Sequence, residues 1–203
     1  MKKFILKISL ILVSILLLNS CVINNRDIIF SDYVLNPIGR YEVKGDISFS
    51  NKNLTSDLLL EYLDHNALNL KTNKRINYLI KKSKRIYLSV GMNDLLEYVS
   101  LVDNKLVFSS TLMSQKIALL EYNVHEIISS ILAIKEVEIY YLSLYYLNDD
   151  CLDSLIGEYN FDIKEVLEGL NVNYVDINEV IKVNNFMYEE GNQKKLYKYL
   201  GIS

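Results

Sequence analysis

Apolar positions along the chain gather into short β-rich runs that alternate with longer stretches of helical spacing. The sharpest case is residues 85–98, RIYLSVGMNDLLEY. Residues 86–90 have the length and the β-branched, aromatic and leucine content of a buried strand, and Gly91 ends the run. Asn93 and Asp94 favour helix caps and tight turns, and Leu95, Leu96 and Val99 then open a helical face.

The same reading extends in both directions. Strands are expected at 27–30, 46–50 (DISFS), 137–144 (VEIYYLSL) and 172–177 (VNYVDI). A turn-like segment, 31–39, follows the first strand and holds the only proline. Thr55 or Ser56 should cap a helix carrying Leu58, Leu59, Leu60 and Leu63 at helical spacing. Further helices are expected over 73–83, 112–135, 150–168 with Gly169 as the stop, and 189–200, with an irregular loop over 103–111.

Strands separated by helices imply parallel pairing with helices on both faces. The expected fold is a three-layer α/β/α sandwich with a five-stranded, mostly parallel, flavodoxin-like sheet. In such a sheet the first and third strands are neighbours at the switch point, so the turn after Phe30 should face the turn holding Asn93. Ligands bind at that edge in open α/β sheets.

The N-terminus changes the picture of location. Lys2, Lys3 and Lys7 precede an apolar stretch, 8–18, too short to cross a bilayer comfortably, so residues 1–20 are expected to be a signal peptide. The sequence Leu18-Asn19-Ser20-Cys21 resembles a bacterial lipobox, with Asn19 an unusual occupant, and Cys21 is the expected lipidation site. An ordinary cleaved signal or an uncleaved anchor is the alternative. Residues 21–26 would then form the lipidated cysteine and a tether of at most about 18 Å, leaving 27–203 as one domain. That places the domain on the extracytoplasmic face of a bacterial cell membrane. Its partners would be the membrane itself and an envelope lipid, glycan or protein.

Removing Lys2, Lys3 and Lys7 takes the formal charge from −3 to −6, which argues against nucleic acid. Cys151 is the one cysteine besides Cys21, so a lipidated chain has no intramolecular disulfide. No metal or cofactor is expected.

Across 27–200 the chain resembles the SGNH, or GDSL, hydrolases, a superfamily of esterases, lipases and carbohydrate deacetylases. The resemblance rests most on VGMNDLL at 90–96, similar to the family's Gly-x-Asn-Asp block, with support from NLTSDLLLEYL at 53–63, EIYYLSLYYL at 138–147, YVDINEVI at 174–181 and GNQKKLYKYL at 191–200. It implies an oxyanion-holding role for Asn93, with Gly91, Asp32, Tyr33 and Asn53 around it.

The chain also departs from the family. Where Gly-Asp-Ser is expected it has Ser31-Asp32-Tyr33, so Tyr33 stands in the nucleophile position. Asn53 falls near the family's second-block glycine, and 183–190 (VNNFMYEE) lacks the expected histidine. Ser31 is the candidate for a displaced nucleophile, and His65 and His125 are the only histidines available as a base. Three readings follow: a non-catalytic binding protein on this fold, an active esterase or deacetylase with a rearranged nucleophile and base, and a structural lipoprotein.

Three further features have plainer readings. The basic run Lys71, Lys74, Arg75, Lys81, Lys82, Lys84 and Arg85 reads as a solvated face or as a contact for anionic headgroups. Asp149, Asp150 and Asp153 suit a helix N-terminus better than a cation. Tyr140, Tyr141, Tyr145 and Tyr146 read as core and strand residues, with a ligand groove as the alternative.

Overall fold

The computed structural model describes residues 26–32, 47–48, 53–70, 72–103, 105–181, 183–184, 187–188 and 190–202. The expected signal peptide, Cys21 and Tyr33 lie outside the described residues.

Five strands form one sheet: β1 (Arg26–Ser31), β2 (Ile47–Ser48), β3 (Ser83–Ser89), β4 (Glu138–Leu142) and β5 (Asn173–Val175). Their order is β2-β1-β3-β4-β5, with a two-residue β2 at one edge. Every neighbouring pair is parallel. The helices between them are α1 (Ser56–Asp64), α2 (Ile76–Lys82), α3 (Met92–Leu96), α4 (Ser110–Ile134), α5 (Asp150–Gly169) and α6 (Glu190–Leu200). This is the expected flavodoxin-like α/β/α arrangement, with β1 and β3 adjacent at the switch point.

Strand alternation sets the two faces. Register aligns Ile28 with Ile86 and Phe30 with Leu88, and Ile86 with Ile139 and Leu88 with Tyr141, so these six line one face. All of them are at most 1% exposed. The other face carries Ile29, Tyr87 and Tyr140; the Tyr87 and Tyr140 rings stack at 5.1 Å, and α6 reaches this face at its end, with Tyr87 Oη donating to the Leu200 carbonyl.

Helix α4 is long and apolar enough to cross a membrane by length and composition. Its buried positions Leu120, Val124, Ile127, Ile128 and Ile131 recur at three- and four-residue spacing, the stripe of a helix packed on a core. It packs against α1, α3 and α5.

Three sequence expectations are corrected. The region read as an irregular loop from 103 to 111 holds part of an antiparallel ribbon, Ser100–Val102 with Lys105–Val107, and α4 already starts at Ser110. Helix α2 begins at Ile76, not 73, because Lys74–Arg75 pair with Leu68–Asn69. Strand β3 starts at Ser83, not Ile86; its charged Arg85 is accommodated because Asp27 in β1 takes two of its hydrogen bonds, at 3.1 and 2.5 Å.

Candidate functional site

The carboxyl ends of β1 and β3 build the candidate site. Ser31 lies opposite Ser89, and the Asp32 amide donates to the Ser89 carbonyl at 2.9 Å. The Asp32 carboxylate is buried and accepts the Met92 amide at 3.1 Å. One aspartate thus holds the turn after β1 against the turn after β3.

Gly91 makes the second turn possible. Its φ is +126°, and a Cβ there would stand 2.8 Å from Leu120 Cδ2 and 3.0 Å from Leu144 Cδ2. Only a residue without a side chain fits both the backbone angle and the contact. The turn delivers Asn93, whose Nδ2 donates to the Leu54 carbonyl at 2.9 Å. Asn53, next to that carbonyl, is exposed. Asp32, Gly91, Asn93 and Asn53 therefore gather at one end of the sheet. The Asn93 amide is engaged with the main chain before α1, the segment that carries Asn53.

A network beneath these residues has no local pattern in the sequence. Asp94 accepts the Ser56 amide at 3.0 Å and the Ser56 hydroxyl at 2.5 Å. Asn123 of α4 donates to Ser56 Oγ at 2.9 Å and to Asp57 Oδ1 at 2.8 Å. The start of α1, the turn after β3 and the middle of α4 are joined through these four side chains. Burial raises the Asp94 pKa, and the Ser56 hydrogen bonds pull it back only in part. The one signal for this network is Asn123 itself, a polar residue inside the buried stripe of an apolar helix.

Deeper still, the Tyr141 and Tyr159 hydroxyls meet at 2.6 Å, and Tyr141 Oη donates to the Val90 carbonyl. Burial pushes both phenols well above their ordinary pKa, so they stay neutral and fill the core. Tyr145 is also buried, and Tyr146 is 40% exposed.

At the ends of β4 and β5, Ser143 donates to Asp176 at 3.2 Å and accepts the Ile177 amide at 3.1 Å. Asn178 bridges the Leu144 carbonyl and the Tyr146 amide. Asn160 pairs with both main-chain groups of Leu144 at 2.9 Å. Asp149 caps α5 through the Leu152 amide, and Asp153 accepts the Leu147 and Asp149 amides. These carboxylates stabilise a helix start. Among the described residues no group of three or more His, Cys, Asp or Glu side chains could hold a metal ion.

Ser31 is 0% exposed. His65 ends α1 and is exposed, while His125 sits on α4, 3.3 Å from Glu126, beside Tyr122 and Val166. A recess of about 50 Å³ between Asp57, Asp94, Glu97, Tyr98 and Lys116 is of the size that holds water rather than an acyl or sugar group.

By sequence, no family model and no curated protein matches this chain. By structure it is similar to a member of the lipolytic G-D-S-L family from Veillonella parvula, at 12% identity and a TM-score of 0.55 over 88% of this chain and 97% of that one. An acetyl xylan esterase from Geobacillus stearothermophilus aligns at 12% identity and a TM-score of 0.56, covering 88% and 95%. A family 3 carbohydrate esterase from Clostridium thermocellum aligns at 15% identity and a TM-score of 0.50, covering 86% and 94%. At these identities the likeness is one of fold: the chain carries the α/β/α fold of the SGNH/GDSL hydrolases.

Proposed function

We propose that this chain is a membrane-anchored lipoprotein that uses an SGNH-hydrolase fold to bind an envelope ligand without cleaving it. The observation that carries this reading is Ser31. It ends β1 two residues before Tyr33, the position the resemblance gives to the nucleophile, and it is fully buried. An attacking hydroxyl needs access to the substrate. The Tyr33 phenol that takes the nucleophile position in sequence would need strong activation, since its ordinary pKa is about 10.

The supporting scaffold remains suited to binding. Asp32 and Gly91 fix the two turns, and the reading assigns Asn93, beside them, to contact with a carbonyl or hydroxyl of the ligand. Anchoring draws on the sequence 18–21 and on the short tether that follows it.

The second reading, an active carboxylic-ester hydrolase or deacetylase with a relocated nucleophile, draws on the esterases that share the fold. One experiment separates the two. Membranes carrying the full chain are treated with a fluorophosphonate probe and with short-chain nitrophenyl esters. No labelled band and no hydrolysis above membranes lacking the chain are expected. Covalent labelling that disappears in Ser31→Ala, or in Tyr33→Phe, would establish the hydrolase instead. Anchoring is tested by Cys21→Ser, which should release the chain from membranes; continued retention would point to an uncleaved helix.

A further inference from the structure

The two edges of the sheet differ in charge, and the N-terminal segment enters at one of them. Arg26, the first residue of β1, lies opposite Ser83, the first residue of β3. Lys81 and Lys82 end α2 and Lys84 follows Ser83, so three lysines stand beside the point where residues 22–25 join the domain. Lys135 reaches the same place, with Nζ donating to the Ser83 carbonyl. Among the described residues no ion pair engages Lys81, Lys82 or Lys84.

Acids are present on this edge as well. Asp27 is paired with Arg85. Glu136 and Glu138 flank the start of β4, and Glu168 ends α5 before β5. Glu138 lies opposite Arg85 in the neighbouring strand, so Glu136 and Glu138 border the lysines on the β4 side and leave the β1 side, where the N-terminal segment joins, to the basic residues. The opposite edge, where the candidate site sits, carries more acids than bases: Asp57, Asp94 and Glu97 with Lys116 among them, and Asp149, Asp153 and Asp176.

We propose that Lys81, Lys82 and Lys84 form a contact surface for anionic phospholipid headgroups, turning the domain so that the Asp32–Asn93 end faces away from the bilayer. The proposal rests on the membrane-anchored reading above. A tether of a few residues cannot let the domain drift far, and basic side chains near an anionic surface are attracted within a Debye length of it. The acidic edge is repelled by the same surface. The ligand of the candidate site would accordingly be met from the envelope side rather than drawn from the supporting membrane.

Orientation is measurable with two fluorophore positions on the full chain. Cys151 opens α5 at the acidic edge and is exposed. Glu136→Cys, in a Cys151→Ser background, places the label at the basic edge. A helix of 20 residues, the length of α5, spans about 30 Å, so the two labels report different depths. The chain is reconstituted through its N-terminus into vesicles of phosphatidylcholine, with or without phosphatidylglycerol, carrying a headgroup quencher.

The label at 136 should be quenched several-fold more strongly than that at 151 when phosphatidylglycerol is present. The difference should collapse at 1 M salt, where the Debye length is about 3 Å. Adding Lys81→Glu and Lys84→Glu to the Glu136→Cys chain should abolish most of it, with the circular dichroism spectrum unchanged. Equal quenching of the two labels, or quenching at 136 that ignores phosphatidylglycerol, would overturn the proposal. So would tighter binding of the lysines to soluble polyphosphate than to the vesicles, which would assign them to an anionic polymer. Label taken up by the Cys151→Ser chain alone would report a free Cys21. That outcome marks failure of the lipid anchor rather than of the orientation, and the two labelled chains are then compared with Cys21→Ser added.

Discussion

At the scale of single residues, Gly91 and Asp94 make opposite demands. Gly91 tolerates no side chain, since its φ of +126° and the 2.8 Å approach of Leu120 leave no room for Cβ. Gly91→Ala is expected to cost about 1–3 kcal/mol from the backbone alone, with a further loss from displaced Leu120. The reading is a lower thermal midpoint, and an unchanged one would mean that the turn can rearrange freely. Asp94 instead keeps a carboxylate where burial disfavours it, so its pKa in the folded chain lies above the ordinary 3.8. The folded chain then holds this proton more tightly than the unfolded chain. The stability gained is complete below pH 3.8 and is lost as pH rises through the raised folded value. Asp94→Asn keeps an acceptor for Ser56 and removes the titration. Urea midpoints of the wild type should therefore fall relative to the variant across that window, and parallel curves would contradict the assignment.

Between elements, the decisive link is the one from α1 to α4 through Ser56 and Asn123. Asn123→Ala removes donors from Ser56 Oγ and Asp57 and should destabilise the domain by about 1–3 kcal/mol. In a double-mutant cycle with Ser56→Ala the losses should be non-additive by at least about 0.5 kcal/mol. Additive losses would show that the contact carries no coupling. This link also marks where the sequence stops being readable. Helices α1, α4 and α5, and the core of β3, announce themselves through apolar spacing and their caps. Gly91 and Asn93 are legible because a strand, a break and a cap follow one another within a few residues. Ser56 and Asn123 are 67 positions apart, and nothing local pairs them. The ribbon 100–107 escaped for another reason. Its arms are three residues long and mostly exposed, too short to show a period, although Asp103 at φ 50° sits at the turn that such a ribbon needs. The first residues of β3 were hidden by their charge, because Arg85 is acceptable in a strand only once Asp27 of β1 lies beside it.

For the whole molecule, the described residues cover the two faces of the sheet unequally. One face rests on a layer that includes α4 and α5. On the other, Ile29 and Tyr87 are at most 2% exposed, and α6 is the helix described over them. Leu196, Tyr197 and Ile202 from this last segment are themselves nearly fully buried. Each such side chain contributes roughly 1.5–3 kcal/mol when removed from water. Together with the sheet residues they cover, they amount to a large part of the about 5–15 kcal/mol that holds a domain folded. Among the described residues Cys151 is free and no disulfide adds to this. A chain ending at residue 189 is therefore expected to lose its cooperative thermal transition and to bind a hydrophobic dye, while Tyr199→Phe, on the exposed side of α6, should melt within a few degrees of the wild type. A truncated chain that still melted cooperatively would show that the second face is closed by something other than α6.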